Sequence, residues 1–280
     1  MKVSVLTPIY KTDPEMLRAA IRSVLAQDFR DFEFLLLDDC PDDPRESVVR
    51  EFGDPRIVYL RNDANLGITP SRNRLVSLAK GEYLAVFDHD DVCLPGRFAK
   101  EVAFLDAHPA CGVVSGWTRT IPGGEVVRYP ETDAEIKEGM LGWCTLVHSG
   151  SMIRKSVLES TGLGYEARYS PCEDYALFMK LMARTEFHNL QEPVIEYRLH
   201  ANNATKTQSP KMIVADSLVR CWAERNLPDR YDEYLLRSRQ IRRVRVLGLL
   251  LAEVVSDFRL TKINLFGCIP LITIRTKRRL

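Results

Sequence analysis

Short apolar runs alternate with helix-forming segments along the first 90 residues of this 280-residue chain. The runs occupy residues 3–6, 32–37, 57–60 and 83–87. Asp13-Pro14, Asp43-Pro44 and Thr69-Pro70 each place a capping side chain before a proline, which is typical of a helix start. Gly81 follows the third helical segment as a stop signal. Four β-α units in series predict a parallel, doubly wound α/β sheet.

Polar residues stand where the predicted strands end. They are Pro8 to Tyr10 after the first run, Asp38-Asp39 after the second, Asn65 after the third, and Asp88-His89-Asp90-Asp91 after the fourth. Ligands of open α/β sheets bind beyond the carboxyl ends of the strands. We therefore expect these residues to line one site.

The acidic segment at 88–91 indicates the chemistry of that site. Three carboxylates packed this closely repel one another and resist ionising together. A divalent cation removes that conflict, and oxygen ligands suit Mg²⁺ or Mn²⁺. Such a cation usually shares its coordination with phosphate oxygens. The segment therefore predicts a metal-dependent site for a phosphorylated substrate.

The second half of the chain is less regular. A helix is predicted over 173–183, a late strand over 194–198, and helical structure from Lys211 onward. The first plausible domain boundary lies near 206–210. We therefore predict an α/β domain over residues 1–208 and a helical, basic extension over residues 209–280.

The net charge of +1 hides an asymmetry. Residues 237–280 contain eleven Lys and Arg but only two acidic residues, a net charge of +9. Such a tail suggests an anionic partner, but for the charge alone a solvated helical face is the preferred explanation. Its apolar runs, 246–252 and 265–274, are shorter than the roughly 20 residues of a membrane span. Flanked by basic residues, they predict either docking on an anionic membrane surface or a helix pair that packs on the main domain.

The cysteines and the first residues of the chain indicate in which cellular compartment the protein is expected. The seven cysteines are scattered without a C-x-x-C pair, which argues against a zinc site and a disulfide framework and fits a reducing cytoplasm. The first residues enter a strand-like run without the pattern of a signal peptide. A cytoplasmic location is expected, and the basic tail leaves open a peripheral position on the inner face of the cell membrane.

Four motifs in this order resemble those of the family-2 glycosyltransferases. They are Val3-Ser4-Val5-Leu6-Thr7-Pro8-Ile9-Tyr10, Leu35-Leu36-Leu37-Asp38-Asp39, Asn65-Leu66-Gly67 with Ser71-Arg72-Asn73, and Gly81-Glu82-Tyr83 continuing to Asp91 and Pro95. The resemblance covers about residues 1–200. It implies the GT-A fold, a Rossmann-like α/β domain that binds a nucleotide sugar.

The resemblance also implies roles on the donor side. Pro8, Tyr10 and Asp39 match positions that frame the nucleotide base and ribose, and Asp38 is a further candidate for this role. Asn65 and Arg72 match contacts to the nucleotide and diphosphate, and a guanidinium suits phosphate.

Asp88-His89-Asp90 matches the family's Asp-x-Asp motif. It implies that Asp90 is the direct metal ligand and that Asp88 binds ribose or a metal-bound water at the same metal site. Tyr197-Arg198-Leu199-His200 is similar to a Tyr-Arg-x-His segment. There His200 completes the metal shell or contacts the diphosphate, with Arg198 nearby.

Glu173-Asp174 matches the family's Glu-Asp pair at the start of a helix. Asp174 is expected to be the general base, and Glu173 is a candidate substrate-binding residue. A helix N-terminus favours the carboxylate form, so the base should be ionised at neutral pH. Its role is to take the proton of an acceptor hydroxyl as that oxygen attacks the anomeric carbon, and this single displacement inverts the sugar.

The resemblance implies an inverting hexosyltransferase that uses Mn²⁺ or Mg²⁺ and a nucleotide-diphospho-sugar, with a UDP-sugar as the expected donor. The acceptor would be a glycan or a lipid-linked glycan in bacterial surface polysaccharide or glycolipid assembly, and no nucleic-acid partner is expected. Gln240 to Val244 lacks the tryptophan of the Gln-x-x-Arg-Trp motif, which favours transfer of one sugar over polymerisation. A nucleotide-sugar-binding subunit without turnover remains the alternative. A dinucleotide oxidoreductase is disfavoured because no G-x-G-x-x-G follows the first strand.

Overall fold

The computed structural model describes residues 1–201, 203, 207, 209–230, 233 and 234, and the backbone of four strands between 240 and 275. The chain divides into two compact units, residues 1–220 and residues 221–280.

A mixed β-sheet forms the centre of the first unit. Its strands are β1 (Val3–Ile9), β2 (Phe32–Asp38), β3 (Ile57–Arg61), β4 (Tyr83–Val86), β5 (Val92–Cys93), β6 (Cys111–Ile121), β7 (Val126–Val127), β8 (Met152–Arg154) and β9 (Glu186–Arg198). Across the described sheet the order is β3-β2-β1-β4-β8-β6-β9-β5, and β7 pairs with β6 outside this order. Strands β1 to β4 are parallel, as are β6 and β9, whereas β8 and β5 run antiparallel to their neighbours. The predicted α/β class and its parallel half are confirmed.

Helices follow most of these strands. They are α1 (Pro14–Leu25), α2 (Glu46–Arg50), α3 (Ile68–Leu78), α4 (Arg97–Ala107), α5 (Asp133–Met140), α6 (Lys155–Thr161), α7 (Glu173–Leu181) and α8 (Ser209–Asn226). Strands β1 and β2 are buried along their whole length, as expected for central strands covered on both faces. Helix α1 begins as predicted, because Asp13 Oδ1 accepts the N–H groups of Glu15 (2.9 Å) and Met16 (3.1 Å).

Gly81 is needed for a reason other than the predicted one. Helix α3 already ends at Leu78. A Cβ atom on Gly81 would lie 2.4 Å from the backbone N of Ser4 and 2.6 Å from the carbonyl carbon of Val3. The chain passes β1 so closely that only glycine fits.

The carboxyl ends of β1, β2 and β4 lie side by side. The register pairs Ile9 with Asp38 and Leu6 with Val86. Thr7 Oγ1 donates a hydrogen bond of 2.7 Å to the carbonyl of Phe87, which fixes the exit of β4 against β1. The loops after these strands therefore start at one edge of the sheet, as the strand-end pattern predicted.

The extension is helical only in its first part. Helix α8 agrees with the prediction, but residues Gln240–Val246, Leu249–Ser256, Leu260–Leu265 and Ile269–Arg275 form strands β10 to β13 of an antiparallel sheet. The prediction of a helical extension is wrong there, because these stretches are short, rich in Ile, Val and Leu, and separated by glycines at 248 and 267, which is a strand pattern. The side chains of the basic tail lie outside the described residues, and both the boundary at 208/209 and membrane docking remain predictions. Within the described part of the chain, no helix is long and apolar enough to span a bilayer.

Candidate active site

The acidic loop after β4 meets the segment that follows β9. Asp90 Oδ2 lies 2.8 Å from His200 Nε2, and both side chains are partly exposed. The Arg198 Nε donates to the carbonyl of Asp90 at 2.8 Å. The structure therefore brings Asp90 together with two residues that lie 108 and 110 positions further along the sequence.

These residues fit a cation that is held partly by its substrate. Among the residues whose side chains are described, no group of three or more His, Cys, Asp or Glu could hold a metal ion by itself. Asp90 and His200 supply one carboxylate and one imidazole at contact distance. A cation bound by two protein ligands completes its shell with phosphate oxygens and water.

Arg72 on α3 connects the acidic loop with α7. Its Nη1 donates to Glu173 Oε1 at 2.5 Å, and its Nη2 lies 3.4 Å from Asp88 Oδ1. Burial alone would lower the pKa of Arg72, but Asp88 and Glu173 raise it above its ordinary value. Arg72 Nε and Glu173 Oε2 are buried without a hydrogen-bond partner in the described structure. Buried polar atoms are rarely left so, and a bound ligand would supply the missing partners.

Asp174 lies beside Glu173 in the first turn of α7. Its Oδ1 accepts the N–H of Tyr175 at 2.7 Å. Burial first, and the charge of Glu173 second, raise the pKa of Asp174 from 3.8 to about 6, although Arg72 opposes this shift. At pH 7 roughly nine-tenths of the group is therefore ionised.

The two acids after β2 are buried and support loops. Asp38 accepts the N–H groups of Cys40 (2.9 Å) and Arg45 (2.6 Å) and the hydroxyl of Tyr59 (2.9 Å). This explains why α2 begins at Glu46 rather than after Asp43, because the Asp38 carboxylate holds the backbone just before it.

Asp39 likewise supports a loop, the one that follows β3. It accepts hydrogen bonds from Asn62 Nδ2 (2.6 Å) and from the N–H groups of Leu66 (2.9 Å) and Gly67 (2.8 Å). Helix α3 consequently begins at Ile68 instead of being capped by Thr69. Contacts of either acid with a donor remain predictions, and the loops that they hold border the site.

The remaining donor-side candidates differ in exposure. Pro8 is buried within β1, whereas Tyr10 is 46% exposed and Asn65 is exposed. Lys11 has a φ of +48° and places its Nζ 5.3 Å from the centroid of the Tyr10 ring. Tyr10 thus keeps about half of its surface exposed after the end of β1, with the Lys11 ammonium over its ring.

Asp91 is a site residue whose importance the sequence did not reveal. It is 1% exposed, accepts the Ser149 hydroxyl at 2.7 Å, and accepts the N–H of Arg198 at 3.0 Å. Burial and the charges of Asp90 and Asp88 raise its pKa well above the ordinary value. Asp91 thereby clamps the end of β9 to the acidic loop. Its burial could have distinguished it from Asp88 and Asp90, but burial is not visible in a run of acids.

Tyr165 and His148 form the wall behind Arg72. The Tyr165 ring centroid lies 5.7 Å from the guanidinium carbon of Arg72, and its hydroxyl lies 2.9 Å from His148 Nε2. Asn73 holds Tyr165 through two hydrogen bonds to its backbone, of 2.8 and 3.0 Å. Burial, together with the charge of Arg72, lowers the pKa of His148 to about 3, so this imidazole is neutral. In the sequence, the neighbouring Ser71-Arg72-Asn73 motif pointed to this wall.

A family model and two relatives match a large part of the chain. A family model described as glycosyl transferase family 2 matches residues 4–162. An uncharacterized glycosyltransferase of Methanocaldococcus jannaschii is 27% identical over 206 residues, which cover 70% of this chain and 70% of that protein. The UDP-Glc:alpha-D-GlcNAc-diphosphoundecaprenol beta-1,3-glucosyltransferase WfaP of Escherichia coli is 22% identical over 223 residues, with coverage of 75% and 82%.

Two solved structures share the fold. S. aureus TarS 1-349 in complex with UDP-GlcNAc has a TM-score of 0.67 at 20% identity and covers 78% of this chain. This chain in turn spans 65% of that TarS fragment, slightly less than two thirds. The mannosyltransferase PcManGT from Pyrobaculum calidifontis, in complex with GDP-Man and Mn²⁺, has a TM-score of 0.53 at 16% identity and covers 84% of this chain and 74% of that one. The match to the family model spans more than half of the sequence, and the GT-A fold agrees with it: the chain belongs to glycosyl transferase family 2.

Proposed function

We propose that this glycosyltransferase moves one sugar from a UDP-sugar to an acceptor hydroxyl, with inversion at the anomeric carbon and with Mn²⁺ or Mg²⁺ as cofactor. The observation that carries the proposal is the meeting of three segments at one edge of the sheet. Arg72 joins Asp88 of the acidic loop to Glu173 of α7, and Asp90 contacts His200 beyond β9.

Asp174 supplies the general base in this proposal. A base works best when its pKa lies near the working pH, and burial has raised the pKa of Asp174 to about 6. The carboxylate takes the proton of the acceptor hydroxyl as the oxygen attacks the anomeric carbon. The bond to the nucleoside diphosphate breaks on the opposite side, which inverts that carbon.

The diphosphate end is assigned to Asp90, His200, Arg198 and Arg72. Asp90 and His200 would hold the cation, and Arg198 lies against the same loop. When bound, the cation stabilises the departing diphosphate as a Lewis acid. Arg72 lies in the same region, and its Nε–H, which has no partner in the described structure, can donate a hydrogen bond to a phosphate oxygen. A guanidinium matches the geometry of phosphate oxygens.

The nucleotide end is assigned to the loops after β1, β2 and β3. The exposed ring of Tyr10 can stack on a base, and the buried Asp39 holds the loop that carries Asn65. A uridine nucleotide is supported by the UDP-GlcNAc complex of TarS and by the donor in the name of WfaP.

The acceptor is proposed to be a glycan or a lipid-linked glycan in bacterial surface polysaccharide or glycolipid assembly. WfaP is named for a sugar carried on diphosphoundecaprenol, which is such an acceptor. A basic segment of net charge +9 within 237–280 would favour binding to the anionic membrane that carries it.

Donor binding tests the proposal directly. UDP-, GDP- and dTDP-sugars are titrated into the protein by calorimetry, with Mn²⁺ and with chelator. We expect a UDP-sugar to bind in the presence of Mn²⁺ and to lose most of its affinity in chelator. An Asp174→Asn variant should bind that donor normally but release UDP at least about 10²-fold more slowly than wild type. If no nucleotide sugar binds under either condition, the proposal is wrong.

A further inference from the structure

Three aromatic side chains lie together on β6 and on the segments that flank α5: Trp117, Tyr129 and Trp143, which we call the aromatic shelf. All three are partly exposed. The indole N–H of Trp117 donates to the carbonyl of Tyr129 at 3.3 Å. The rings of Tyr129 and Trp143 have centroids 5.7 Å apart and are tilted by 35°. The shelf therefore combines rings that are held in place with side chains that remain partly exposed.

The shelf is attached to the start of α7. The hydroxyl of Tyr175, the residue after Asp174, donates to the carbonyl of Met140 at 2.6 Å. Trp143 donates its backbone N–H to the carbonyl of Gly139 at 3.0 Å, so it lies on the turn that closes α5. Next to it, burial and the charge of Asp174 raise the pKa of the Cys144 thiol well above its ordinary value. The turn that carries Trp143 is thus tied to the start of α7, and the residue after Trp143 is within electrostatic reach of Asp174.

The other end of the shelf is shaped by strand β6. The pairing of β6 with β9 shifts register on both sides of Trp117, between Gly116 and Thr118. Such irregularities turn a side chain away from its regular direction. The exposed Arg128 places its guanidinium carbon 5.2 Å from the centroid of the Trp117 ring. Arg128 therefore lies over the Trp117 ring and brings N–H donors to the rim of the shelf, next to the rings of Tyr129 and Trp143.

We propose that the aromatic shelf binds a sugar ring of the acceptor, so that the enzyme glycosylates a carbohydrate rather than a bare lipid phosphate. This inference rests on the proposed function, because it takes Asp174 as the base that meets the acceptor. The C–H face of a pyranose matches the electron-rich face of an aromatic ring. The Arg128 guanidinium can donate to the hydroxyl groups at the edge of that sugar. A bare phosphate would call for clustered cations instead of three rings.

The test separates the acceptor site from the donor site. Trp143→Leu keeps an apolar side chain but removes the aromatic face, and Trp143→Phe is the matched control that keeps it. The full-length proteins, with Mn²⁺ and saturating UDP, are applied to an array of bacterial surface glycans, and the best-bound glycan is then titrated. Calorimetry with UDP and Mn²⁺ checks the donor site of each variant.

We expect the wild-type chain to bind at least one glycan, Trp143→Leu to weaken that binding about tenfold, and Trp143→Phe to stay within about threefold, since one aromatic contact typically changes affinity by about this much. UDP affinity should be the same in all three proteins. Equal glycan binding by Trp143→Leu would overturn the inference, and so would a wild-type chain that binds UDP but no glycan. A wild-type chain that binds no UDP would overturn the proposed function, and this inference with it.

Discussion

Replacing Asp174 by asparagine should strongly slow sugar transfer and at the same time make the protein more stable. The amide cannot take a proton from the acceptor hydroxyl, so turnover should fall by about 10²- to 10⁴-fold. The amide oxygen can still accept the N–H of Tyr175, so the start of α7 is preserved. The variant also removes a partly buried carboxylate whose ionisation the folded protein disfavours.

The size of the stabilisation follows from the pKa of Asp174. Its pKa rises from 3.8 to about 6 on folding, so the protonated form stabilises the fold at low pH and this stability is lost as the pH rises through about 6. A change of this size corresponds to at most about 3 kcal/mol at pH 7.5. Because the side chain is partly exposed, solvent screening reduces this to about 1–2 kcal/mol. At pH 5, where the wild-type group is largely protonated, about half of the advantage should remain.

Urea denaturation at pH 7.5 and pH 5.0 measures the stabilisation and its dependence on pH. Asp174→Asn should unfold at higher urea than wild type at pH 7.5, by about 1–2 kcal/mol, and the difference should shrink at pH 5.0. Glu159→Gln, which removes a 62% exposed carboxylate paired with Lys155, is the control and should change neither stability nor transfer. This reasoning would be refuted if the variant were less stable than wild type at pH 7.5. It would also be refuted if its gain in free energy of unfolding over wild type were the same at both pH values.

Three further outcomes are expected. In Glu173→Gln, loss of the neighbouring charge should lower the pKa of Asp174, so the acidic limb of the kcat–pH profile should move down by about 0.5–1 pH unit; an unmoved limb would contradict the coupling. Asp91→Ala leaves the Ser149 hydroxyl and the Arg198 N–H without their buried partner. It should lower the free energy of unfolding in urea by about 2–4 kcal/mol and weaken UDP–Mn²⁺ binding in calorimetry. Unchanged affinity would show that Asp91 does not position the site. Gly81→Ala should destabilise the fold by about 1–3 kcal/mol, because its Cβ meets the backbone of β1, with little change in kcat at low temperature; a wild-type urea midpoint would contradict the close approach.

The parallel half of the fold could be predicted because its signals are local. Strands 3–6, 32–37, 57–60 and 83–87 are short apolar runs, and Asp13 caps α1 with the two hydrogen bonds expected from its sequence position. The meeting of the strand ends follows from parallel pairing alone. The antiparallel strands β5 and β8 have two and three residues, too few for a periodic pattern to show.

The two misplaced helix starts share a physical cause, which is that a distant group competes with a local signal. Asp43 and Thr69 look like helix caps, but the carboxylates of Asp38 and Asp39 hold the backbone of the following loops and move both helix starts. In the tail, the alternation of Arg with Ile and Val fitted a basic helical face as well as a strand.

Burial divides the acids at the strand ends into two groups that the sequence cannot separate. One group is at most 3% exposed and consists of Asp38, Asp39 and Asp91. Their oxygens accept hydrogen bonds from backbone N–H and hydroxyl groups of the surrounding segments. Asp88 and Asp90 keep part of their surface open and meet cationic or imidazole groups instead. Asp91 lies in the same loop as Asp88 and Asp90 and holds the end of β9 and Ser149 against it, so this buried acid helps to fix the position of the open ones. Aspartate at a strand end therefore identifies the edge of the site, whereas exposure and hydrogen-bond partners decide which aspartates can meet the substrate.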